Sequence, residues 1–153
     1  FYAIRARAIT DDVMLVAGDN LFYFQITNMH DVFVAHKASV IATYDLGEPS
    51  LLANKFGVVE IAADGKILSF EEKPPQPKTS LTATAIYMLA AHDVAAVQKL
   101  IAQKGKLDNM GSLIIHLVET SKVYTYPLTH WIDIGSKEDY ESANKNYSAQ
   151  EQQ

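Results

Sequence analysis

Cysteine is absent from the 153 residues, which excludes disulfides and thiolate metal sites and fits a reducing cytoplasm. No apolar run approaches the ~20 residues that a membrane helix requires. The opening residues, Phe1-Tyr2-Ala3, lack the charged-then-apolar order of a signal peptide and read as entry into the middle of something longer. Basic side chains number 13 against 18 acidic ones, for a net charge of −5. They are scattered rather than clustered, so no nucleic-acid surface is expected. A glycine-rich phosphate loop is missing, and so is any Asp-X-Asp pair of the kind many glycosyltransferases use. The five histidines (His30, His36, His92, His116 and His130) share no metal-ligand spacing and no Ser-His-Asp ordering. His36 is expected in the core and His130 near a pocket.

What is present reads as one α/β domain, large enough to bury a core. Tyr2 to Ile9 looks like the end of a helix, broken by Asp11-Asp12. Val13 to Ala17 is a continuous apolar run, as expected of a strand covered on both faces in a parallel sheet. Met29, Val32, Phe33 and His36 fall at helical spacing, predicting a helix over Asn28 to Lys37 capped by Thr27. Ser39 to Tyr44 is the next buried strand, and strand–helix–strand is the α/β signature. Phe56 to Ile61 and Ile67 to Glu72 flank Ala63-Asp64-Gly65, a hairpin signal, and Pro74, Pro75 and Pro77 impose a loop after it. A strand is predicted over Leu81 to Leu89, then helices over Asp93 to Gln103 (ended by Lys104-Gly105) and Met110 to Glu119. Lys122 to Leu128 is a further strand and Trp131 to Ile134 a short apolar segment. Ser136 caps a last helix, Lys137 to Asn146, with Asp139 at capping-box spacing.

Three acidic segments stand out. Asp19 follows a strand, where open α/β sheets place ligands, although a turn or a cap would use the same residue. Mg²⁺ takes few protein carboxylates and fills its octahedron with water and substrate phosphates, so one aspartate at a sheet edge could serve. Asp133 lies among Trp131, Ile132 and Ile134, a setting in which an unpaired carboxylate is costly; its alternative role is a helix cap. In Glu71-Glu72-Lys73-Pro74, alternation sets Glu72 on the face of Phe70 and Leu68, and Lys73 with Glu71 and Ser69. Such a charge run also suits a solvated strand end, but a lysine among carboxylates keeps its charge and could meet a phosphate.

Taken in order, Leu15-Val16-Ala17-Gly18-Asp19-Asn20, Phe56-Gly57-Val58-Val59-Glu60, Phe70-Glu71-Glu72-Lys73-Pro74, Thr84-Ala85-Ile86-Tyr87 and Trp131-Ile132-Asp133-Ile134-Gly135 resemble the sugar-phosphate nucleotidylyltransferases. That family includes the glucose-1-phosphate thymidylyltransferases and mannose-1-phosphate guanylyltransferases. The resemblance implies a Rossmann-like mixed sheet flanked by helices, truncated at its N-terminus. It implies a partial nucleotidylyltransferase domain over 1–147 and a frayed tail over 148–153. Asp19 and Asp133 match the aspartates that hold Mg²⁺, Lys73 the lysine on the sugar phosphate, and Glu72 the glutamate on sugar hydroxyls. Gly57 matches the glycine whose backbone approaches the sugar; Tyr87 and Trp131 would line that pocket. Asp19, Lys73 and Asp133 would then act in catalysis, with sugar-1-phosphate and NTP as partners. Two departures stand against the pattern. The Gly-rich loop for the NTP is not found, implying weak or no turnover by this stretch alone, and Ala85 replaces a glycine. The alternative is a non-catalytic sugar-phosphate-binding or regulatory module, in which an open sheet edge would suit pairing with a second copy.

Overall fold

A computed structural model describes residues 2–104 and 109–150, and the statements below refer to these. After a short helix α1 (Tyr2–Ala6) come β1 (Val13–Val16), β2 (Asn20–Phe22), α2 (Ile26–His36) and β3 (Ser39–Asp45). A turn of 3-10 helix at Pro49–Leu52 leads into the hairpin β4 (Val58–Ile61) and β5 (Ile67–Glu71). Then follow β6 (Leu81–Leu89), α3 (Ala91–Lys104), α4 (Met110–Thr120), β7 (Val123–Pro127), β8 (Trp131–Asp133) and α5 (Lys137–Gln150). The last helix runs past its expected end at Asn146, and the proposed Gly105 cap lies outside the described residues.

The main sheet is mixed, ordered β5-β4-β6-β3-β7, with β1 also on β6. β3 and β7 are parallel; the other pairings are antiparallel. The parallel setting expected for β1 is therefore corrected: it is an antiparallel neighbour of β6, and its Val16 is 47% exposed. Its unbroken apolar run still has a physical cause, because Val13 and Leu15 pack on one core cluster while Met14 packs on the other.

Those clusters lie on opposite faces of the sheet. Ile41, Tyr87 and Leu89 face Val94 and Val97 of α3 and Leu113, Ile114 and Leu117 of α4. Val40, Ala42, Ile86 and Met88 face Met29 and Phe33 of α2. Burying each such aliphatic side chain contributes about 1.5–3 kcal/mol, which explains why Val40–Ala42 of β3 and Ile86–Leu89 of β6 are apolar without alternation.

Local predictions fared unevenly. The hairpin turns where Asp64-Gly65 predicts, with Gly65 at φ +81 and its N–H on the Ala62 carbonyl at 3.0 Å. Ser136 and Asp139 form the expected capping pair, the Asp139 N–H donating to the serine hydroxyl at 3.0 Å. Thr27, however, lies inside α2. The cap is Gln25, whose carbonyl accepts from the Asn28 N–H at 3.0 Å, so a backbone turn starts the helix earlier. His36 is exposed rather than buried and stacks on Tyr124 with ring centres 3.6 Å apart. It sits on the last turn of α2, against β7 at the end of the sheet order.

Asp93 locks three elements together. Fully buried in the first turn of α3, it accepts from the Ser39 hydroxyl of β3 and from the Ser121 hydroxyl that closes α4. A buried carboxylate is tolerable only with such donors.

The functional corner arises from one irregularity. β1 and β4 lie end to end along the same edge of β6: Ala17 N–H bonds the Ala85 carbonyl and Ala83 N–H bonds the Gly57 carbonyl, both at 3.1 Å. Between them β6 bulges, since Ile41 pairs with Tyr87 but Thr43 with Ala83. Ala85, within the bulge, sits at φ +57, a left-handed conformation that costs an L-residue about 1–2 kcal/mol. In the gap between the ends of β1 and β4, Ala17, Gly57, Ala83, Thr84 and Ala85 line a cavity.

Candidate active site

The cavity holds about 310 Å³, within the range of small-ligand sites. Asp19, Gly57, Glu72, Lys73, Tyr87, Trp131 and Asp133 all line it. The seven residues that the resemblance marks therefore reach one place. His130 does not line it; exposed, it meets Tyr23 edge-on at 6.4 Å.

The two aspartates meet through a small separate ladder. β2 and β8 pair antiparallel, with Asn20 opposite Asp133 and Phe22 opposite Trp131, and the Ile134 N–H reaches the Asp19 carbonyl at 2.8 Å. This two-strand clasp was not legible as strands, each being three residues long. Its outcome is measurable at Gly135. A Cβ placed there would stand 3.0 Å from Asp133 Oδ1 and 3.5 Å from Asp19 Oδ2. The two oxygens thus both come within 3.5 Å of one point beside Gly135, and both aspartates line the cavity. Asp133 Oδ1 is held by the Gly135 N–H at 2.7 Å, and Asp19 Oδ1 accepts from the Asn20 amide at 2.8 Å. Among the described residues no third His, Asp or Glu joins them in a metal-binding group. The donor set is hard oxygen, suited to a hard divalent cation that takes the rest of its shell from water and ligand.

Across the cavity, Glu71 and Glu72 separate. Glu71 turns outward to an ion pair with Lys78 at 2.6 Å. Glu72 shares its face with Phe70, because a Cβ on Gly57 would overlap the Phe70 ring, 2.6 Å from Cε2, and stand 3.4 Å from Glu72 Oε2. Glu72 also lies against α4: a Cβ on Gly111 would overlap Oε2 and stand 2.6 Å from Cδ. Close approach favours glycine at both positions: at Gly57 the neighbour is a ring, at Gly111 the end of a side chain that can swing aside. No hydrogen bond or ion pair joins the Glu72 carboxylate to another described residue, so its oxygens are available to a ligand.

Lys73 begins the loop at φ +47 and is exposed, with no ion pair to a described residue. Lys55, which the sequence reading passed over, lines the same cavity, as do Asn20, Met110 and Gly111. Nothing in the sequence around Lys55 distinguishes it from a solvated lysine, whereas the side-chain amide beside Asp19 was a usable signal for Asn20. Three carboxylates thus face two ammonium groups, a balance that favours an anionic ligand only once a cation is added.

Tyr87 is buried, only 3% exposed. Burial first, then the nearby Glu72 carboxylate, push its phenol above the usual tyrosine range, so it stays a neutral O–H donor. Trp131 is 8% exposed, with Phe56 edge-on at 5.4 Å and Tyr44 tilted at 5.8 Å.

The profile of the nucleotidyl transferase family matches residues 2–150. A glucose-1-phosphate adenylyltransferase of Thermomicrobium roseum is 30% identical over 140 residues, 87% of this chain and 32% of that protein. One of Thermosipho melanesiensis is 26% identical over 141 residues, 88% of this chain and 33% of its own. The chain spans about a third of the length of these curated relatives. Among solved structures, a Bacillus anthracis protein assigned as a glucose-1-phosphate thymidylyltransferase, in complex with a sucrose, superposes with a TM-score of 0.76. It is 22% identical, over 94% of this chain and 57% of that one. The UTP-bound UGPase of Acinetobacter baumannii superposes with a TM-score of 0.74 at 20% identity, over 94% and 53%. The mixed sheet is thus the fold of these enzymes, and the chain belongs to the nucleotidyl transferase family.

Proposed function

We propose that this chain forms the sugar-phosphate side of a nucleotidylyl transfer site, joining a sugar-1-phosphate and an NTP into an NDP-sugar and pyrophosphate. The observation that carries this reading is that Asp19 and Asp133 come together beside Gly135 and line the same cavity as Lys73, Lys55 and Glu72. A phosphate oxygen of the sugar-1-phosphate forms a bond to the α-phosphorus, and the bond from that phosphorus to the bridging oxygen breaks. The electron pair leaves with pyrophosphate. No side chain needs to act as a nucleophile. What the protein supplies is alignment and charge neutralisation.

Asp19 and Asp133 are the residues that would hold Mg²⁺, which when bound would offset the negative charge of the phosphates. Lys73 and Lys55 would bind the sugar phosphate as point charges. Glu72 would accept from sugar hydroxyls, and the neutral Tyr87 phenol would donate from the wall. Trp131 and Phe56 would supply apolar surface against the ring.

The test is calorimetric titration with glucose-1-phosphate and mannose-1-phosphate, with and without Mg²⁺, beside an assay of pyrophosphate release from each NTP. Binding that requires Mg²⁺ and is lost in Asp133→Asn supports the site. Identical titrations for the native chain and Asp133→Asn overturn it. Binding without turnover assigns the chain the role of a sugar-phosphate-binding module.

A further inference from the structure

Asp19 could approach a cation through either carboxylate oxygen, and the structure decides which. The indole N–H of Trp131 donates to Asn20 Oδ1. The amide of Asn20 then donates through Nδ2 to Asp19 Oδ1 at 2.8 Å. Asp19 Oδ2 is left on the side of Gly135 and Asp133. We infer that Trp131 and Asn20 form a positioning relay that commits one oxygen of Asp19 to the protein and reserves the other for a divalent cation.

The direction of the relay follows from donor and acceptor chemistry. An asparagine amide has nearly the same shape in its two flipped orientations, but they exchange donor for acceptor. Indole N–H can only donate. Were the amide flipped, two donors would face each other at Trp131 and two acceptors at Asp19, so the indole sets the amide and the amide sets the carboxylate. The indole is itself fixed, being 8% exposed and flanked by Phe56 and Tyr44. Register contributes as well: the β2–β8 ladder sets Asn20 opposite Asp133 and Phe22 opposite Trp131, so the relay crosses diagonally between the strands. Trp131 thereby has a role besides walling the cavity. Asn20 and Trp131 are positioning residues, acting on the cation through Asp19.

This inference rests on the reading of Asp19 and Asp133 as cation ligands, and the experiment separates the two. Mn²⁺ binding to the whole chain is measured by electron paramagnetic resonance of the free ion and, in the variants that keep Trp131, the sole tryptophan, independently by its quenching. Asp19→Asn is expected to lose binding by tenfold or more. Trp131→Phe, which removes the N–H and keeps an aromatic ring, and Asn20→Ser are each expected to weaken it about two- to tenfold, the worth of one net hydrogen bond. The double variant should be no weaker than the weaker single one, as two links in series require. In Asn20→Ser the emission of Trp131 should shift as its N–H loses its acceptor.

Native affinity in both Trp131→Phe and Asn20→Ser, with binding lost in Asp19→Asn, overturns the relay and leaves the cation site standing. Native affinity in Asp19→Asn overturns the cation site and the relay with it. Where circular dichroism shows Trp131→Phe to be poorly folded, Asn20→Ser, a smaller change on a half-buried side chain, decides by the same criterion.

Discussion

Gly111→Ala offers a way to move Glu72 without touching it. The added Cβ would overlap Glu72 Oε2 and stand 2.6 Å from Cδ and 3.0 Å from Cγ, so the carboxylate must swing away from α4. Two effects on stability oppose each other. Alanine is favoured over glycine within a helix by about 0.5–1 kcal/mol. Displacing Glu72 costs about 0.5–1.5 kcal/mol in a strained rotamer, since no hydrogen bond or ion pair to a described residue is broken. The net change should stay within about 1 kcal/mol, visible as a nearly unmoved denaturant midpoint. Binding should respond quite differently. Hydrogen bonds to a charged group are worth about 1.5–3 kcal/mol, so calorimetry with glucose-1-phosphate should show affinity falling about 10- to 150-fold. Gly111→Ala should add little to Glu72→Gln, because both remove the same contact. A dissociation constant within twofold of native would refute the placement of Glu72 as a ligand group. A stability loss above about 2 kcal/mol, the scale of an overpacked core, would show that the helix had moved rather than the side chain.

Ala85→Gly removes a Cβ from a left-handed residue at φ +57. Relief of about 1–2 kcal/mol exceeds the unfolded-state penalty of about 0.4–1 kcal/mol, so urea unfolding should shift to a higher midpoint at constant slope; a loss above about 1 kcal/mol would contradict this. Tyr87 holds its proton more tightly folded than unfolded, so its contribution is complete below the unfolded value of about 10 and is lost as pH rises above it. Tyr87→Phe should flatten that alkaline decline in melting temperature, and an unchanged decline would reject the assignment. Lys55→Met removes an exposed cation of modest worth, about 0.2–1 kcal/mol. Glucose-1-phosphate should bind about two- to fivefold less tightly with a shallower dependence on salt, and an unaltered salt dependence would exclude Lys55 from the phosphate.

Residue chemistry and local spacing were enough to read much of this protein. Asp64-Gly65 marks a hairpin because a left-handed glycine closes it, and Ser136 with Asp139 marks a helix start because each satisfies the other. The β-branched, largely apolar run Ser39 to Tyr44 announces a buried strand, as observed in β3. The candidate site was legible mainly through the family resemblance: by type alone Asp19 suits a turn and Lys73 a solvated strand end, and Gly57, Tyr87 and Trp131 were marked only by the segments they stand in.

Partnership was decided only by tertiary structure. The run Val13–Val16 looks the same beside a parallel or an antiparallel neighbour, because its side chains meet the same two cores either way. Strands as short as Asn20–Phe22 and Trp131–Asp133 have no period to detect, and only their mutual ladder defines them. Lys55 looks like any solvated lysine until the fold sets it on the wall of the cavity. The clash that ties Glu72 to Gly111, and the meeting of two aspartates beside Gly135, join residues remote in the chain. Periodicity reports which face of an element is buried, whereas a site depends on which distant faces meet, and that is set by packing.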